Sequence, residues 1–177
     1  MNKHCLRILS SFALVIAAWG SDIPRPGLSY SFKTVTGEEV SLNKYRGNVI
    51  VVQFFSPECG HCQQNSQTLE KFYKELGPQG LTVLGVAFKA QEKAKDYISR
   101  FQITFPIGVD ERESMCRYIQ WPIEKPVNTP VLVLIDRKGT IREQHSGEET
   151  FTENEQAMKS AIESLLHENQ GVPLRKQ

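Results

Sequence analysis

Residues 49–62 read Val-Ile-Val-Val-Gln-Phe-Phe-Ser-Pro-Glu-Cys-Gly-His-Cys, and this stretch decides the fold. Its first part, Val49–Phe55, is a nearly continuous apolar run, which is typical of a strand covered on both faces. Beyond the two cysteines, side chains recur at helical spacing: Ser66, Leu69, Tyr73 and Leu76. Gly77 and Pro78 are expected to end this helix. The cysteine pair therefore lies where the predicted strand leads directly into the predicted helix.

The rest of the chain repeats this alternation of strand and helix patterns. Apolar or alternating runs predict further strands over residues 32–35, 40–42, 81–88, 105–109, 131–135 and 140–144. Amphipathic spacing predicts further helices over residues 94–101, 113–119 and 158–166. A capping box formed by Thr152 and Glu155 opens the last helix. The sequence therefore predicts an α/β fold with a mixed central sheet flanked by helices.

Composition and charge fit one ordinary globular domain. The 177 residues are 40% hydrophobic and 23% charged, which excludes a disordered or fibrous chain. Lys and Arg number 21 against 20 acidic residues, so no positive surplus draws the chain to nucleic acid or to an anionic membrane surface. We divide the chain into a signal peptide (residues 1–20), an extended lead-in segment (21–28), one folded domain (29–170) and a flexible tail (171–177).

The amino terminus has the layout of a secretory signal. Lys3 and Arg7 precede an uncharged apolar run from Ile8 to Trp19, which is shorter than the roughly 20 residues that span a bilayer as a helix. We expect cleavage after Gly20; the alternative is an uncleaved membrane anchor. Both interpretations place the domain outside the cytoplasm, and we expect a periplasmic protein.

Cysteine usage favours working thiols over structural bridges. Loss of the signal leaves three cysteines, Cys59, Cys62 and Cys116, which are too few for a framework of several disulfides. Cys116 lies on the apolar side of a predicted short helix, so we interpret it as a small buried side chain. The alternative for Cys116 is a regulatory thiol.

The spacing of the pair indicates how it exchanges disulfides. Cys59 stands where a strand ends and a helix begins, beside unpaired backbone amides and the positive end of the helix dipole, which favour a thiolate. Residues three apart share a helix face, so Cys62 can close a disulfide with Cys59. Cys59 is predicted to attack the partner disulfide. Cys62 is in line with the buried stripe of the helix and is predicted to break the resulting mixed disulfide. His61 can donate to the Cys59 sulfur and move the pair toward oxidant character.

Zinc binding and a purely structural bridge are the other interpretations of this spacing. Zinc sites usually need four ligands, whereas the sequence has no second cysteine pair, and His145 and His167 are isolated. A disulfide that closes a loop of four residues removes little conformational entropy from the unfolded chain, so it stabilises the fold only slightly. We therefore expect neither a metal nor a cofactor.

These motifs resemble the thioredoxin superfamily, in particular its exported TlpA-like branch and the related redoxin domains. The resemblance extends from about Pro26 to His167. It rests on residues 54–62, the strand 81–88, and Asn128-Thr129-Pro130 before the strand 131–135. It implies a thioredoxin-like fold with an amino-terminal hairpin and one inserted strand-helix unit, which corresponds to residues 94–105.

The resemblance also implies a function. The chain would be an exported thiol–disulfide oxidoreductase, a protein disulfide reductase or isomerase, that acts on the thiols or disulfides of other proteins. A membrane or periplasmic redox partner would recharge it. Cys59 and Cys62 would form the redox-active disulfide, and Gly60 and His61 would tune it, since this dipeptide is typical of protein disulfide isomerases. We expect a monomer.

Thr129 and Pro130 are implied to bind the partner. In the resembled family the bond before this proline is cis and the proline lies against the cysteine pair, while the preceding residue offers backbone hydrogen bonds to an extended partner segment. Only ~5% of X-Pro bonds in folded proteins are cis, so a trans proline that opens a strand is the alternative.

Three positions depart from the family pattern. Gln53 stands where thioredoxins usually carry a buried carboxylate that helps deprotonate the resolving cysteine, and glutamine cannot do this. TlpA-like proteins often carry Glu three residues beyond the second cysteine and Pro two residues later, whereas this chain has Asn65 and Gln67. Resolution by Cys62 is therefore expected to use water or another acid.

Two other functions stay open at this point. Ser56 precedes Cys59 by three residues, as the hydroxyl residue of a peroxiredoxin motif would, but Val52 occupies the position of that motif's proline. A thiol peroxidase would consume peroxide through Cys59. The second alternative is an extracytoplasmic copper chaperone that uses Cys59, Cys62 and a histidine.

Overall fold

The computed structural model describes residues 22–88 and 91–168; the predicted signal peptide and tail lie outside the described residues. The strands of the described residues form one sheet: β1 Arg25–Pro26, β2 Ser31–Thr34, β3 Glu39–Ser41, β4 Val49–Phe55, β5 Leu81–Phe88, β6 Ile107–Asp110, β7 Val131–Ile135 and β8 Thr140–His145. The α-helices of these residues are α1 Gly60–Leu76, α2 Gln91–Phe101, α3 Arg112–Tyr118 and α4 Glu155–His167. In the part of the chain that is described, no helix is both long and apolar enough to cross a membrane.

The sheet is built outward from β4. Every residue of this strand is buried, as predicted for a strand covered on both faces. β4 pairs in parallel with β5, where Val49 faces Leu81, and antiparallel with β7, where Ile50 faces Ile135. The strand order is β1-β8-β7-β4-β5-β6-β2-β3, so the predicted mixed sheet is confirmed.

Side chains of β4 alternate between two cores, because successive residues of a strand point to opposite faces. Val51 and Phe55 lie in a core that also contains side chains of α1, α2 and α4. Val52 and Phe54 lie in a second core, which contains side chains of α3 and of the β2–β3 hairpin. The sheet therefore lies between helices, as the sequence predicted.

The amino-terminal hairpin and the inserted unit extend the sheet. β2 and β3 pair antiparallel, with Phe32 opposite Val40, and β2 continues the sheet beside β6. The inserted unit is α2 followed by β6, which pairs in parallel with β5. At the other edge, β1 of the lead-in segment pairs with β8. β4, β5 and β7 have the predicted bounds, whereas β6 and α3 differ from prediction by one or two residues at their ends.

The predicted stop of the first helix is partly wrong. α1 ends at Leu76, but Gly77 keeps right-handed helical angles, with φ −52° and ψ −46°, and opens the 3₁₀ turn Gly77–Gln79. The chain turns instead at Gly80, whose φ of 99° lies in the left-handed region that favours glycine. Pro78 is tolerated because it lies in the first turn of a helix, where a backbone N–H would have no partner within the helix.

The predicted capping box is wrong. Thr152 lies inside the 3₁₀ turn Thr150–Glu153, so it cannot cap α4. Asn154 is the cap, and its Oδ1 accepts a hydrogen bond from the N–H of Ala157 at 3.0 Å. Both residue types serve as caps, and the 3₁₀ turn decides between them because it delays the start of the helix.

Leu69→Ala tests the core beneath the cysteine pair. Leu69 is fully buried in the same core as Cys62, so truncation leaves a cavity and should lower the free energy of unfolding by about 3 kcal/mol. Ile123→Ala is the control, because Ile123 is 41% exposed and its loss should cost less than about 0.5 kcal/mol. Denaturant unfolding of the oxidised proteins measures both values, and equal losses would contradict this packing.

Candidate active site

Cys59 occupies the junction between β4 and α1. It is the N-cap of α1, with extended backbone angles, and its Sγ lies 3.2 Å from the backbone nitrogen of Cys62. The N–H of Cys62 has no partner within the helix because it belongs to the first turn. It therefore points its positive end at the Cys59 sulfur, which is the arrangement that favours an ionised thiol.

Cys59 and Cys62 are joined in a disulfide, with their Cα atoms 5.2 Å apart. Cys62 is fully buried in the core formed with α1, α2 and α4, whereas Cys59 is partly exposed. A sulfur arriving from solvent can therefore reach Cys59 and not Cys62. The structure thus brings together the two cysteines that the sequence singled out, in different environments.

Gln53 contacts the buried cysteine through its backbone. This side chain is fully buried, and its Nε2 donates to the carbonyl oxygen of Cys62 at 3.2 Å. Its Oε1 accepts a hydrogen bond from the hydroxyl of Ser66 at 2.6 Å. The hydroxyl of Tyr97, on α2, lies 3.1 Å from the same Cys62 carbonyl and 2.6 Å from Ser66 Oγ. We call Gln53, Ser66 and Tyr97 the neutral network.

Two members of this network, Ser66 and Tyr97, could not be recognised from the sequence. Both residues lie in segments predicted as helices, but periodicity does not show what their hydroxyls contact. The contacts form only because α1 and α2 pack on the same face of the sheet. The single signal in the sequence was a polar residue, Gln53, inside an otherwise apolar strand.

The loop before β7 forms one wall of the site. The peptide bond between Thr129 and Pro130 is cis, as the resemblance implied, and Pro130 is buried. The carbonyl oxygen of Thr129 lies 3.5 Å from Cys59 Sγ. The structure therefore brings the carbonyl of Thr129, the residue before Pro130, to the partly exposed Cys59.

Gly147 packs against this loop through its backbone. Its backbone N–H donates to the carbonyl oxygen of Asn128 at 3.0 Å. A Cβ at position 147 would lie 2.5 Å from the carbonyl oxygen of Thr129, so no larger residue fits without displacing the loop. No sequence pattern marks Gly147, because the close approach depends on a segment distant along the chain.

The side chains of His61 and Glu58 pair with residues outside the motif. His61 Nδ1 lies 2.8 Å from Glu153 Oε1, and both side chains are largely exposed. Because solvent screens this pair, its effect is to orient the imidazole more than to stabilise the fold. Glu58 pairs with Lys93 at 2.8 Å and is 72% exposed, so it does not bring a buried negative charge to the sulfur.

The remaining candidate residues lie apart from the site. Cys116 is fully buried in the second core, across the sheet from Cys62, and burial raises the pKa of its thiol. This matches its interpretation as a small buried side chain. His145 stacks on Phe151 and contacts two glutamates. Residues 22–88 and 91–168 contain no group of three or more His, Cys, Asp or Glu side chains that could hold a metal ion.

Known proteins are similar to this chain in sequence and in fold. Thioredoxin-like protein YneN of Bacillus subtilis is 30% identical over 133 residues, which cover 73% of this chain and 74% of YneN. Thiol-disulfide oxidoreductase ResA of Geobacillus kaustophilus is 25% identical over 126 residues, 70% of this chain and 69% of ResA. The crystal structure of a thiol:disulfide interchange protein of the thioredoxin family from Chlorobium tepidum covers 82% of this chain and 98% of its own, with a TM-score of 0.70 at 20% identity.

The fold and these relatives define the class: the chain is a thiol–disulfide oxidoreductase with a thioredoxin-like fold. The profile of the AhpC/TSA family matches residues 23–144, and the chain belongs to that family. The resemblance to the thioredoxin superfamily and its redoxin-type domains is thereby confirmed.

Gly147→Ala tests the support behind the Thr129 loop. The added methyl must push the loop aside, so the free energy of unfolding should fall by about 1–3 kcal/mol. Gly77→Ala is the matched control, because a Cβ there meets nothing within 4 Å and the helical backbone suits alanine; it should leave stability unchanged or raise it by up to about 1 kcal/mol. Thermal or denaturant unfolding measures both, and an unchanged Gly147→Ala protein would refute the close approach.

Proposed function

We propose that this protein is exported and exchanges disulfides with other proteins through Cys59 and Cys62, as a reductase or isomerase. One observation carries the proposal: a partly exposed sulfur caps a helix and is bonded to a fully buried neighbour. Such a pair can form a transient bond with a partner at one sulfur and release it with the other.

The exchange has two steps. The Cys59 thiolate attacks one sulfur of a partner disulfide; the Cys59–partner bond forms, the partner's S–S bond breaks, and the second partner sulfur leaves as a thiolate. Cys62 then attacks the Cys59 sulfur, so the Cys59–Cys62 bond forms and the first partner sulfur leaves. The partner disulfide gains two electrons and two protons, and the cysteine pair loses them. The reverse sequence oxidises a partner dithiol.

Thr129 and Pro130 are the residues proposed to hold the partner. The Thr129 carbonyl lies beside the Cys59 sulfur, so a partner strand running along this loop would bring its own sulfur to Cys59. An extended segment can make backbone hydrogen bonds there without regard to its side chains. This arrangement favours protein partners of varied sequence.

Gly60 and His61 are proposed to tune the pair. Gly60 adds no side chain at the start of α1, next to Cys59, and a Cβ there would meet nothing within 4 Å. His61 brings a titratable group next to the disulfide. The reduction potential assigns the direction of exchange: about −270 mV indicates a reductant and about −120 mV an oxidant.

Export is proposed from the sequence of residues 1–20. Lys3 and Arg7 followed by an uncharged apolar run are typical of a secretory signal, with retention as a membrane anchor as the alternative. A membrane or periplasmic redox partner would then restore the pair after each exchange.

Cys62→Ser tests the two roles. With Cys59 free and no resolving sulfur, the variant should accumulate a covalent complex with a disulfide-containing protein substrate, visible on a non-reducing gel and abolished by dithiothreitol. Cys59→Ser should form no complex and should lose at least about 99% of disulfide-reductase activity, because the attacking thiolate is gone. Cys116→Ser is the control and should keep the activity of the wild type.

Three other results would redirect the proposal. A trapped complex on Cys59→Ser with none on Cys62→Ser would reverse the two roles. Consumption of peroxide that depends on Cys59, without protein disulfide exchange, would indicate a thiol peroxidase. Stoichiometric copper binding by the reduced protein, again without exchange, would indicate a copper chaperone.

A further inference from the structure

The carbonyl oxygen of Cys62 is a point on which buried donors converge. Gln53 Nε2 reaches it from the central strand at 3.2 Å, and the Tyr97 hydroxyl reaches it from α2 at 3.1 Å. Ser66 Oγ ties these two groups together, with 2.6 Å to each. Two elements of the fold, β4 and α2, therefore hold the first turn of α1 at the residue that carries the buried sulfur.

Nothing in the neutral network is a base near neutral pH. An amide and an aliphatic hydroxyl do not titrate in this range. Burial raises the pKa of Tyr97 to about 12, so its phenol stays protonated. The network can donate to Cys62 and orient it, but it cannot accept a proton from the Cys62 thiol.

The buried carboxylates are committed elsewhere. Among the described residues that are buried, only Glu70 and Asp136 carry carboxylates. Glu70 lies two turns beyond Cys62 on α1 and accepts hydrogen bonds from the backbone and hydroxyl of Thr104. Asp136 caps the turn after β7 by accepting from the N–H groups of Lys138 and Thr140. Both carboxylates are thus held in contacts away from Cys62.

We propose that Gln53, Ser66 and Tyr97 position Cys62 for the resolving step and take no part in moving its proton, which passes to water. The proposal rests on the proposed function and specifies how its second step is controlled. These three are positioning residues, since none of them touches the partner.

The proton balance of the resolving step follows from this arrangement. Cys62–SH loses its proton to water, and its sulfur attacks the Cys59 sulfur. The Cys59–Cys62 bond forms, the Cys59–partner bond breaks, and the partner sulfur leaves with the electron pair. Only the ionised fraction of a thiol attacks. A buried thiol without a nearby base is mostly protonated at neutral pH, because burial disfavours the charged form. The rate of resolution should therefore follow the hydroxide concentration.

A chromogenic nitrobenzoate disulfide separates the two steps in one experiment. Attack by Cys59 releases one coloured thiolate at a rate that depends on reagent concentration. Attack by Cys62 on the resulting mixed disulfide releases a second coloured thiolate, at a rate that is independent of reagent concentration. We expect the second phase in the wild type to speed up about tenfold per pH unit from pH 5.5 to pH 7.5, below the ordinary thiol pKa.

Tyr97→Phe tests positioning. It removes one donor from the Cys62 carbonyl and should slow the second phase about three- to tenfold at every pH, with the same pH slope. Tyr73→Phe is the matched control, since Tyr73 is a partly buried tyrosine of α1 outside the network, and it should match the wild type. Ser66→Ala provides a second variant with the same expected slowing, should Tyr97→Phe fold poorly.

Two results would overturn the inference. A second phase that is independent of pH over this range would show that a group in the protein takes the proton or that Cys62 is already ionised. Wild-type rates in both variants would show that the network does not position Cys62. Absence of the first phase, by contrast, would refute the proposed function itself.

Discussion

The contact between the Cys59 sulfur and the Cys62 N–H in the first turn of α1 is the constraint around which the site is arranged. Cys59 Sγ lies 3.2 Å from the Cys62 nitrogen at the amino-terminal end of the 17-residue helix α1, so a negative charge on the sulfur is favoured. A charge at a helix terminus is worth about 0.3–1 kcal/mol, up to about 2 when partly buried. The helix terminus therefore favours the ionised form of the Cys59 thiol over its neutral form.

The two sulfurs differ because the fold places them in different surroundings. The partly exposed sulfur of Cys59 has helix amides on one side and the Thr129 loop on the other. The buried sulfur of Cys62 has a core of apolar side chains and a network of uncharged donors behind it. The proposed roles, attack by Cys59 and resolution by Cys62, rest on this asymmetry of exposure.

Local patterns in the sequence were enough to predict the parts of the fold that depend on local structure. The bounds of β4, β5 and β7 followed from apolar runs, and the place of the cysteine pair followed from a strand that leads into a helix. Where two neighbouring residues could serve the same purpose, the pattern could not choose: Gly80 turns the chain instead of Gly77, and Asn154 caps α4 instead of Thr152.

The contacts that sequence analysis missed join segments far apart along the chain. Tyr97 reaches the Cys62 carbonyl only after α2 packs beside α1, and Glu153 meets His61 only after the segment before α4 returns to the site. Gly147 is needed because its backbone passes close to Thr129. A single sequence has no periodicity or spacing that records such approaches.

The most direct test of this account is the ionisation of Cys59 in the reduced wild-type protein. The rate of alkylation at residue 59, followed by mass spectrometry across pH, reports the thiolate fraction at that position alone. The account predicts half-ionisation below about pH 7.5, at least one unit under the ordinary thiol value of about 8.5. Half-ionisation at or above about pH 8.5 would contradict it, because the helix would then confer no special reactivity on this sulfur.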